Sequence, residues 1–456
     1  MSRCLGIAFL FVFVLVVVAV GLGPKNSAAA QVMTGATTRV SVDSTGTQGN
    51  DYSNAPAISA DGRFVAFRSR ASNLVASDTN GYEDVFVYDR QDGNVTIASV
   101  SSTGTQGNEF SANPAISGDG RFVAFVSRAT NLIPEDHNVT EKVFVHDLLT
   151  NTTSLVSLGG SLNIDLSYDG RFIAYDNDQD VFVYDQVDET TILVSVSPSG
   201  AAGSNNSRAP SISSDGRYVA FYSRACNLAP NASCLHENVF IRDLLSATTE
   251  LVSINSSGVT ANASSQMADV SDSGRFVTFF SHASNLVPND TNGEADVFLR
   301  DRQNGTTSRV SVDSSGTQAN GRSFGVVISG DGNSIVFRSN ATNLVSSDTN
   351  GVWDVFVYDR QNSTTSLISR SVFGGLADGD SSEGAISANG SVIAYDSKAS
   401  NLVLDDTNGW SDVFVFDKGG TPESFSISGR VLDQVTGNPI PEVTVSVGET
   451  HSQTSA

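Results

Sequence analysis

The polar pattern that recurs along the chain is DTNGxxD, in which two aspartates and an asparagine occupy positions 1, 3 and 7. Carboxylate and amide oxygens at alternating positions open calcium-binding loops. Four copies keep all three residues: Asp78, Asn80 and Asp84; Asp290, Asn292 and Asp296; Asp348, Asn350 and Asp354; and Asp406, Asn408 and Asp412. The pattern predicts Ca²⁺ sites at these residues, although the distal bidentate glutamate of an EF-hand is missing.

A structural turn is the competing interpretation of the same pattern. Asp and Asn side chains accept hydrogen bonds from the backbone two residues further on, and Asn-Gly supplies positive φ ahead of a strand. This alternative predicts no metal dependence. In another copy Lys142 stands at the third ligand position, so we expect Asp136 to contribute nothing to a metal site.

A third version of the loop, ACNLAPNASCLHEN, replaces the pattern with two cysteines, Cys226 and Cys234. They are the only cysteines after residue 30. In an oxidising compartment we expect them to form a disulfide that pins the loop. Two buried free thiols are the alternative.

Motifs of catalysis are missing from the sequence. The five histidines occupy unrelated positions, and no HExxH, GxSxG, phosphate-binding loop or CxxC pair occurs. No stripe of basic and aromatic residues suits nucleic acid. The sequence therefore predicts a protein that is not an enzyme, with no cofactor other than Ca²⁺ and no nucleic-acid partner.

One repeated unit positions all these residues. A turn of the type Asp-Gly-Arg-aromatic, with weaker copies, begins at seven places: Asp61, Asp119, Asp169, Asp215, Ser273, Asp331 and Asn389. Successive turns are 58 residues apart except around the third, where the spacing falls to 50 and then 46. Repeats of this length indicate stacked supersecondary units.

Each copy of the repeat is predicted to form four short strands. In the first copy these are 55–59, 63–69, 84–89 and 95–101, and the runs RFVAF and DVFVY are apolar on both faces, as in a sheet covered on both sides. Four strands per unit are typical of a propeller blade. The sequence predicts an all-β, seven-bladed β-propeller with a shortened third blade. We expect residues 38–43 to close the ring by pairing near 411–417, because an orphan strand and an open blade otherwise leave two free edges.

The segments DGRFVAF and DVFVYDR make the repeat similar to the TolB-like β-propellers of bacterial envelope and secreted proteins, over residues 38–418. The resemblance implies the propeller only, since fewer than ten residues precede the first strand after residue 30, too few for the amino-terminal domain of TolB. After a linker at 419–423, the segment from Ser424, SFSISGRVLDQVTGNPIPEVTVSV, resembles the opening strands of a carboxypeptidase-regulatory-like domain. We expect 424–456 to be the truncated start of such a β-sandwich.

Residues 1–30 have the composition of a secretory signal, with Arg3, an apolar run and a small-residue end at Ala28–Ala30, followed by a linker at 31–37. An uncleaved membrane anchor is the alternative. Cleavage would change the net charge from −23 to −25, because it removes two basic residues and no acid. An acidic chain of this kind repels nucleic acid and anionic membranes. We expect an extracellular or periplasmic monomer.

Topology places the tight turns of every blade at one end of its strands and both long loops at the other. The loop face should therefore carry recognition and the turn face should be nearly bare, with a notch where the third copy has lost its loops. The innermost strands read as small and apolar, which favours packing. The sequence favours a binding scaffold for a protein or glycan ligand. The alternatives are a structural spacer and an accessory propeller of an extracellular polysaccharide lyase or hydrolase whose catalytic part is absent or in the central channel.

Overall fold

A computed structural model describes residues 35–134, 140–159, 163–346, 348–420, 444–447 and 450–453. Seven four-stranded antiparallel sheets form the blades. No helix among these residues is long and apolar enough to cross a bilayer. The predicted signal segment lies outside the described residues, as does the carboxypeptidase-regulatory-like segment apart from one hairpin.

The strands of the first four blades follow one another along the chain. Blade one contains β2 (Ser53–Ile58), β3 (Phe64–Ser69), β4 (Asp84–Asp89) and β5 (Asn94–Ile97). Blade two contains β6 (Ser111–Ile116), β7 (Phe122–Ser127), β8 (Lys142–Asp147) and β9 (Thr152–Ser157). Blade three contains β10 (Ile164–Leu166), β11 (Phe172–Asp176), β12 (Val181–Asp185) and β13 (Thr190–Leu193). Blade four contains β14 (Ser207–Ile212), β15 (Tyr218–Ser223), β16 (Asn238–Asp243) and β17 (Thr248–Leu251).

The last three blades continue the order, but the chain's first strand joins the seventh. Blade five contains β18 (Ser265–Val270), β19 (Phe276–Ser281), β20 (Asp296–Asp301) and β21 (Thr306–Arg309). Blade six contains β22 (Ser323–Ile328), β23 (Ser334–Ser339), β24 (Asp354–Asp359) and β25 (Thr364–Leu367). Blade seven contains β26 (Ser381–Ile386), β27 (Val392–Ser397), β28 (Asp412–Asp417) and β1 (Ala36–Arg39). The separate hairpin is β29 (Thr444–Val447) with β30 (Thr450–Gln453).

Ring closure by the amino-terminal strand is confirmed. Strand β1 pairs antiparallel with β28, with Ala36 opposite Asp417 and Arg39 opposite Phe414. The strand begins two residues earlier and ends sooner than the expected 38–43, although the N–H of Val40 still donates to Val413. The N–H of Ala388 donates to Ala60 and so joins blade seven to blade one.

The core lies between neighbouring blades, where the apolar second and third strands are covered on both sides. Each blade stacks two aromatic rings across these strands with centroids 5.5–5.9 Å apart, as Phe67 does with Phe86. The Asp-Gly-Arg turn contributes in five blades, where its arginine lies 2.6–2.7 Å from the aspartate that ends the third strand. The repeated motif therefore serves the fold rather than a ligand.

Candidate functional site

The four DTNGxxD loops are Asx turns. In blades one, five, six and seven the Oδ1 atom of the asparagine accepts the N–H two residues on, at 2.8, 3.0, 3.3 and 2.9 Å. The following glycines all have positive φ, between 69° and 74°. All four loops thus form the turns that the structural interpretation expects, whereas their metal dependence stays a prediction.

Each loop also brings its two aspartates together. In blade one the Nε2 atom of Gln106 donates to Asp78 and Asp84, at 2.8 Å each, while the amide nitrogen of Asn80 donates to Asp84 at 2.8 Å. Burial is the main cause that raises the pKa of Asp84 to about 6. Asn80 therefore presents its amide NH₂ donor to Asp84, and not the oxygen that could bind a metal ion. No group of three or more His, Cys, Asp or Glu side chains in the described part of the chain is arranged to hold a metal ion.

Cys226 and Cys234 are joined by a disulfide in the β15–β16 loop of blade four, with Cα atoms 4.9 Å apart. Asn238 stands there at the position of Asp84, and its amide nitrogen donates to the carbonyls of Ser233 and His236. The bridge thus lies in the loop that has lost the acidic turn. In blade two, Asp136 lies outside the described residues, and Lys142 is fully buried.

A cavity of about 500 Å³ runs along the axis between the inner strands of all seven blades. At the middle of its wall the equivalent residues are Ala57, Ala115, Asp165, Ser211, Asp269, Val327 and Ala385. Three consecutive blades, the third to the fifth, therefore place polar side chains on one side of the channel. The sequence prediction of a small, apolar lining was wrong at these positions, although IDLS and MADVS already contained the aspartates.

The three channel side chains link neighbouring blades. The Oδ2 atom of Asp165 accepts the N–H of Ile212 at 2.8 Å, and that of Asp269 accepts the N–H of Ile328 at 2.7 Å. The Ser211 hydroxyl donates to Asp269 at 2.6 Å. Burial, with the negative charge of Asp269 adding to it, raises the pKa of Asp165 to about 7. Burial also raises the pKa of Asp269.

Aromatic and charged side chains form a rim on the loop face, outside the lining of the cavity. In blade six the guanidinium of Arg338 lies 5.2 Å from the ring centroid of Phe324 and 5.3 Å from that of Trp353. In blade one the hydroxyl of Tyr52 donates to Glu83 at 2.7 Å. Cation–π and charge-assisted contacts of this kind hold the rim side chains in defined positions.

The turn face has no long loops, as expected, but its tight turns carry exposed apolar side chains. Blades two, three and four expose Leu149, Val187 and Leu245 there, with 75%, 68% and 77% of their surface accessible. The equivalent residues of blades one, five and six are glutamines. These three exposed apolar side chains on adjacent blades are a second departure from the repeat. The sequence analysis did not identify them because it considered only the lengths of the loops on this face.

No protein-family model and no curated protein matches this chain. Solved structures similar to it include a putative TolB from Agrobacterium tumefaciens, with 16% identity over 57% of this chain and 80% of that chain and a TM-score of 0.37. TolB from Acinetobacter baumannii has 14% identity over 78% of this chain and 77% of that chain, with a TM-score of 0.38. The β-propeller domain of the Trilobed protease from Pyrococcus furiosus has 11% identity over 80% of this chain and 95% of that domain, with a TM-score of 0.49. The fold assignment rests on the sheet order and strand pairings of the chain itself.

Proposed function

We propose that this chain is an exported binding module that recognises a protein segment carrying a positively charged side chain, received in the central channel. The observation that carries the proposal is the placement of Asp165, Ser211 and Asp269 on one wall of the 500 Å³ cavity. The equivalent positions of the other four blades are Ala57, Ala115, Val327 and Ala385, so the polar side gives the channel one orientation for a ligand.

The electrostatics of the channel favour a cationic ligand. Burial is the main cause that raises the pKa of Asp165 to about 7, and the negative charge of Asp269 adds to it. A Lys or Arg side chain between them would supply the missing positive charge and would favour the ionised form of Asp165. Binding should therefore release a proton near neutral pH and strengthen as the pH rises.

Blade three has a short connection on the loop face. Only residues 177–180 connect β11 to β12, whereas the corresponding connection in blade one spans residues 70–83. The acidic composition and the disulfide support an extracellular or periplasmic location for a monomeric protein.

Arrays of peptides and of glycans, probed with the purified chain, test this function. We expect selective binding of Lys- or Arg-containing peptides, with loss of about tenfold or more in affinity for the double variant Asp165→Asn/Asp269→Asn. The control variant Leu245→Ser, on the turn face, should bind normally. Binding that depends on Leu245, or selective binding of neutral glycans that ignores the two aspartates, would contradict the proposal.

The two carboxylates also favour a second candidate, a polysaccharide-cleaving site in the channel. A carboxyl with a pKa near neutrality beside a second acid is the arrangement of general acid–base pairs in glycoside hydrolysis. New reducing or unsaturated ends released from polysaccharides by the native chain, but not by Asp165→Asn, would replace the binding proposal with this one.

A further inference from the structure

A second cavity, of about 350 Å³, lies at the junction of blades four and five, away from the central channel. Its apolar lining includes Leu251 and Ile254, from the fourth strand of blade four and the residues after it, together with Pro230. Pro230 belongs to the loop that the Cys226–Cys234 disulfide closes. The loop that replaces the acidic turn in blade four therefore forms one wall of a cavity.

The polar lining of this cavity has an excess of positive charge. It contains two arginines, Arg300 and Arg302, and one acid, Glu250. Arg302 is already paired, since its Nη2 and Nε atoms donate to the two carboxylate oxygens of Glu250 at 2.7 and 3.1 Å. Among the described residues, Arg300 forms no ion pair. The lining thus carries one uncompensated positive charge, in a chain whose net charge is −23.

The guanidinium of Arg300 is held in place by one of its three nitrogen atoms. Nη1 donates to the carbonyl of Gly305 at 2.9 Å and to the hydroxyl of Thr307 at 3.1 Å. Within the described part of the chain, Nε and Nη2 donate to no acceptor. With the same two atoms Arg63 binds both oxygens of Asp89 in blade one, at 2.9 and 2.6 Å. Arg300 therefore offers to a ligand the edge of the guanidinium that suits a carboxylate.

This combination of an arginine and a loop wall occurs at one blade junction. The residues equivalent to Arg300 in the other blades are Tyr88, His146, Tyr184, Arg242, Tyr358 and Phe416. Arg242 in blade four also donates through Nη1 to a threonine, Thr249, at 3.1 Å. However, the Nε atom of Arg242 is buried. Blade three, which precedes it, has only residues 177–180 between its second and third strands and so supplies no equivalent of Pro230.

We propose that the cavity between blades four and five binds a small organic acid, with its carboxylate on the Nε–Nη2 edge of Arg300 and its apolar body against Leu251, Ile254 and Pro230. The site goes beyond the channel function proposed above, because the two cavities share no residue. A largely apolar cavity of this volume with a few placed polar groups is typical of small-molecule sites. Burial lowers the pKa of Arg300, and an anion beside the guanidinium would offset that effect.

Ligand-observed NMR with octanoate and 4-phenylbutyrate, each compared with its amide, tests the carboxylate contact. The native chain should bind at least one of these acids about tenfold or more tightly than the matching amide. Acetate, which lacks the apolar body, should bind more weakly than either acid by a similar factor. Arg300→Gln should lose the preference for the acid, whereas Arg242→Gln should keep it. No preference in the native chain, or an equal preference in Arg300→Gln, would overturn the proposal.

Two further variants separate the parts of the site. Arg300→Tyr introduces the residue that three other blades use, so it should fold normally and still lose the preference for the acid. Cys226→Ala/Cys234→Ala should weaken the acid and its amide alike, by about fivefold, because it loosens the apolar wall and leaves Arg300 intact. Unchanged binding in the cysteine variant would contradict the position of the apolar body. The channel variant Asp165→Asn/Asp269→Asn should bind octanoate normally, which distinguishes failure of this site from failure of the channel function.

Discussion

Arg39 ties the closing strand to the last blade through two carboxylates, and its loss should weaken the whole ring. Its side chain is 9% exposed and that of Asp412 is fully buried. Arg39→Met keeps most of the side-chain volume and removes the charge. Taking one partner from a buried ion pair costs about 3–5 kcal/mol, because the remaining charge stays buried without compensation. We expect the free energy of unfolding to fall by that amount at pH 7.5.

Arg309→Met in blade five is the matched control. There the Nε2 atom of Gln318 still donates to Asp290 and Asp296, at 2.9 and 2.8 Å. In blade seven the corresponding amide nitrogen of Gln48 bonds to Thr407 instead. We therefore expect the control to cost about 1–2 kcal/mol, the size of ordinary charge-assisted hydrogen bonds. Urea unfolding of both variants in chelator measures the difference.

The pH dependence of this cost has a definite sign. Burial raises the pKa of Asp406 to about 6, against the opposing charge of Arg39. Without Arg39 that pKa rises further. When a carboxyl has a higher pKa in the folded state than in the unfolded state, the free energy of unfolding falls as the pH rises from the unfolded-state pKa through the folded-state pKa. The cost of Arg39→Met should therefore shrink between pH 7.5 and pH 5. Equal costs for the two arginine variants, or a cost independent of pH, would refute this reasoning.

Three further predictions concern stability. In chelator, Asp348→Asn should stabilise the chain by about 1–3 kcal/mol at pH 7.5 and by less at pH 5, since burial raises the pKa of Asp348 to about 6 and each unit of raised pKa corresponds to about 1.4 kcal/mol; urea midpoints at both pH values check this. Reduction of the Cys226–Cys234 bridge should cost about 2–3 kcal/mol for so short a loop, and alkylation without reduction should modify neither of these two cysteines, as peptide mapping by mass spectrometry would show. Deleting residues 35–43 should lower the thermal midpoint far more than deleting 424–456, because only the first deletion opens a blade.

The repeat made the fold predictable from the sequence. Identical turns at a fixed spacing define the blades, and apolar runs such as Phe64–Ser69 identify strands covered on both faces. The predicted strand bounds were wrong where a strand and the following loop both contain polar residues, as at the fourth strand of blade one. It ends at Ile97 and not at 101, and beyond it the backbone turns, with the N–H of Val100 donating to the carbonyl of Ala98 at 2.9 Å.

The site was less predictable because its contacts join residues that lie far apart in the sequence. Gln106 reaches Asp78 from a different loop, and Arg39 reaches Asp406 from the other end of the chain. A local motif such as DTNGxxD identifies the carboxylates that accept hydrogen bonds, but it does not show the donors, which lie elsewhere in the sequence. The channel aspartates were visible as departures from the repeat, but only the pairing register shows that Asp165 replaces an alanine on the axis.

Affinity as a function of pH tests the binding proposal most directly. A Lys- or Arg-containing peptide selected on the native chain is titrated between pH 6 and 8 against the native protein and Asp165→Asn. The account predicts affinity that rises with pH through about 7 in the native protein, where the pKa of Asp165 lies. In the variant it predicts binding weaker by about tenfold, with little pH dependence. A flat profile in the native protein, or equal affinities for the two proteins, would contradict a cation-binding channel.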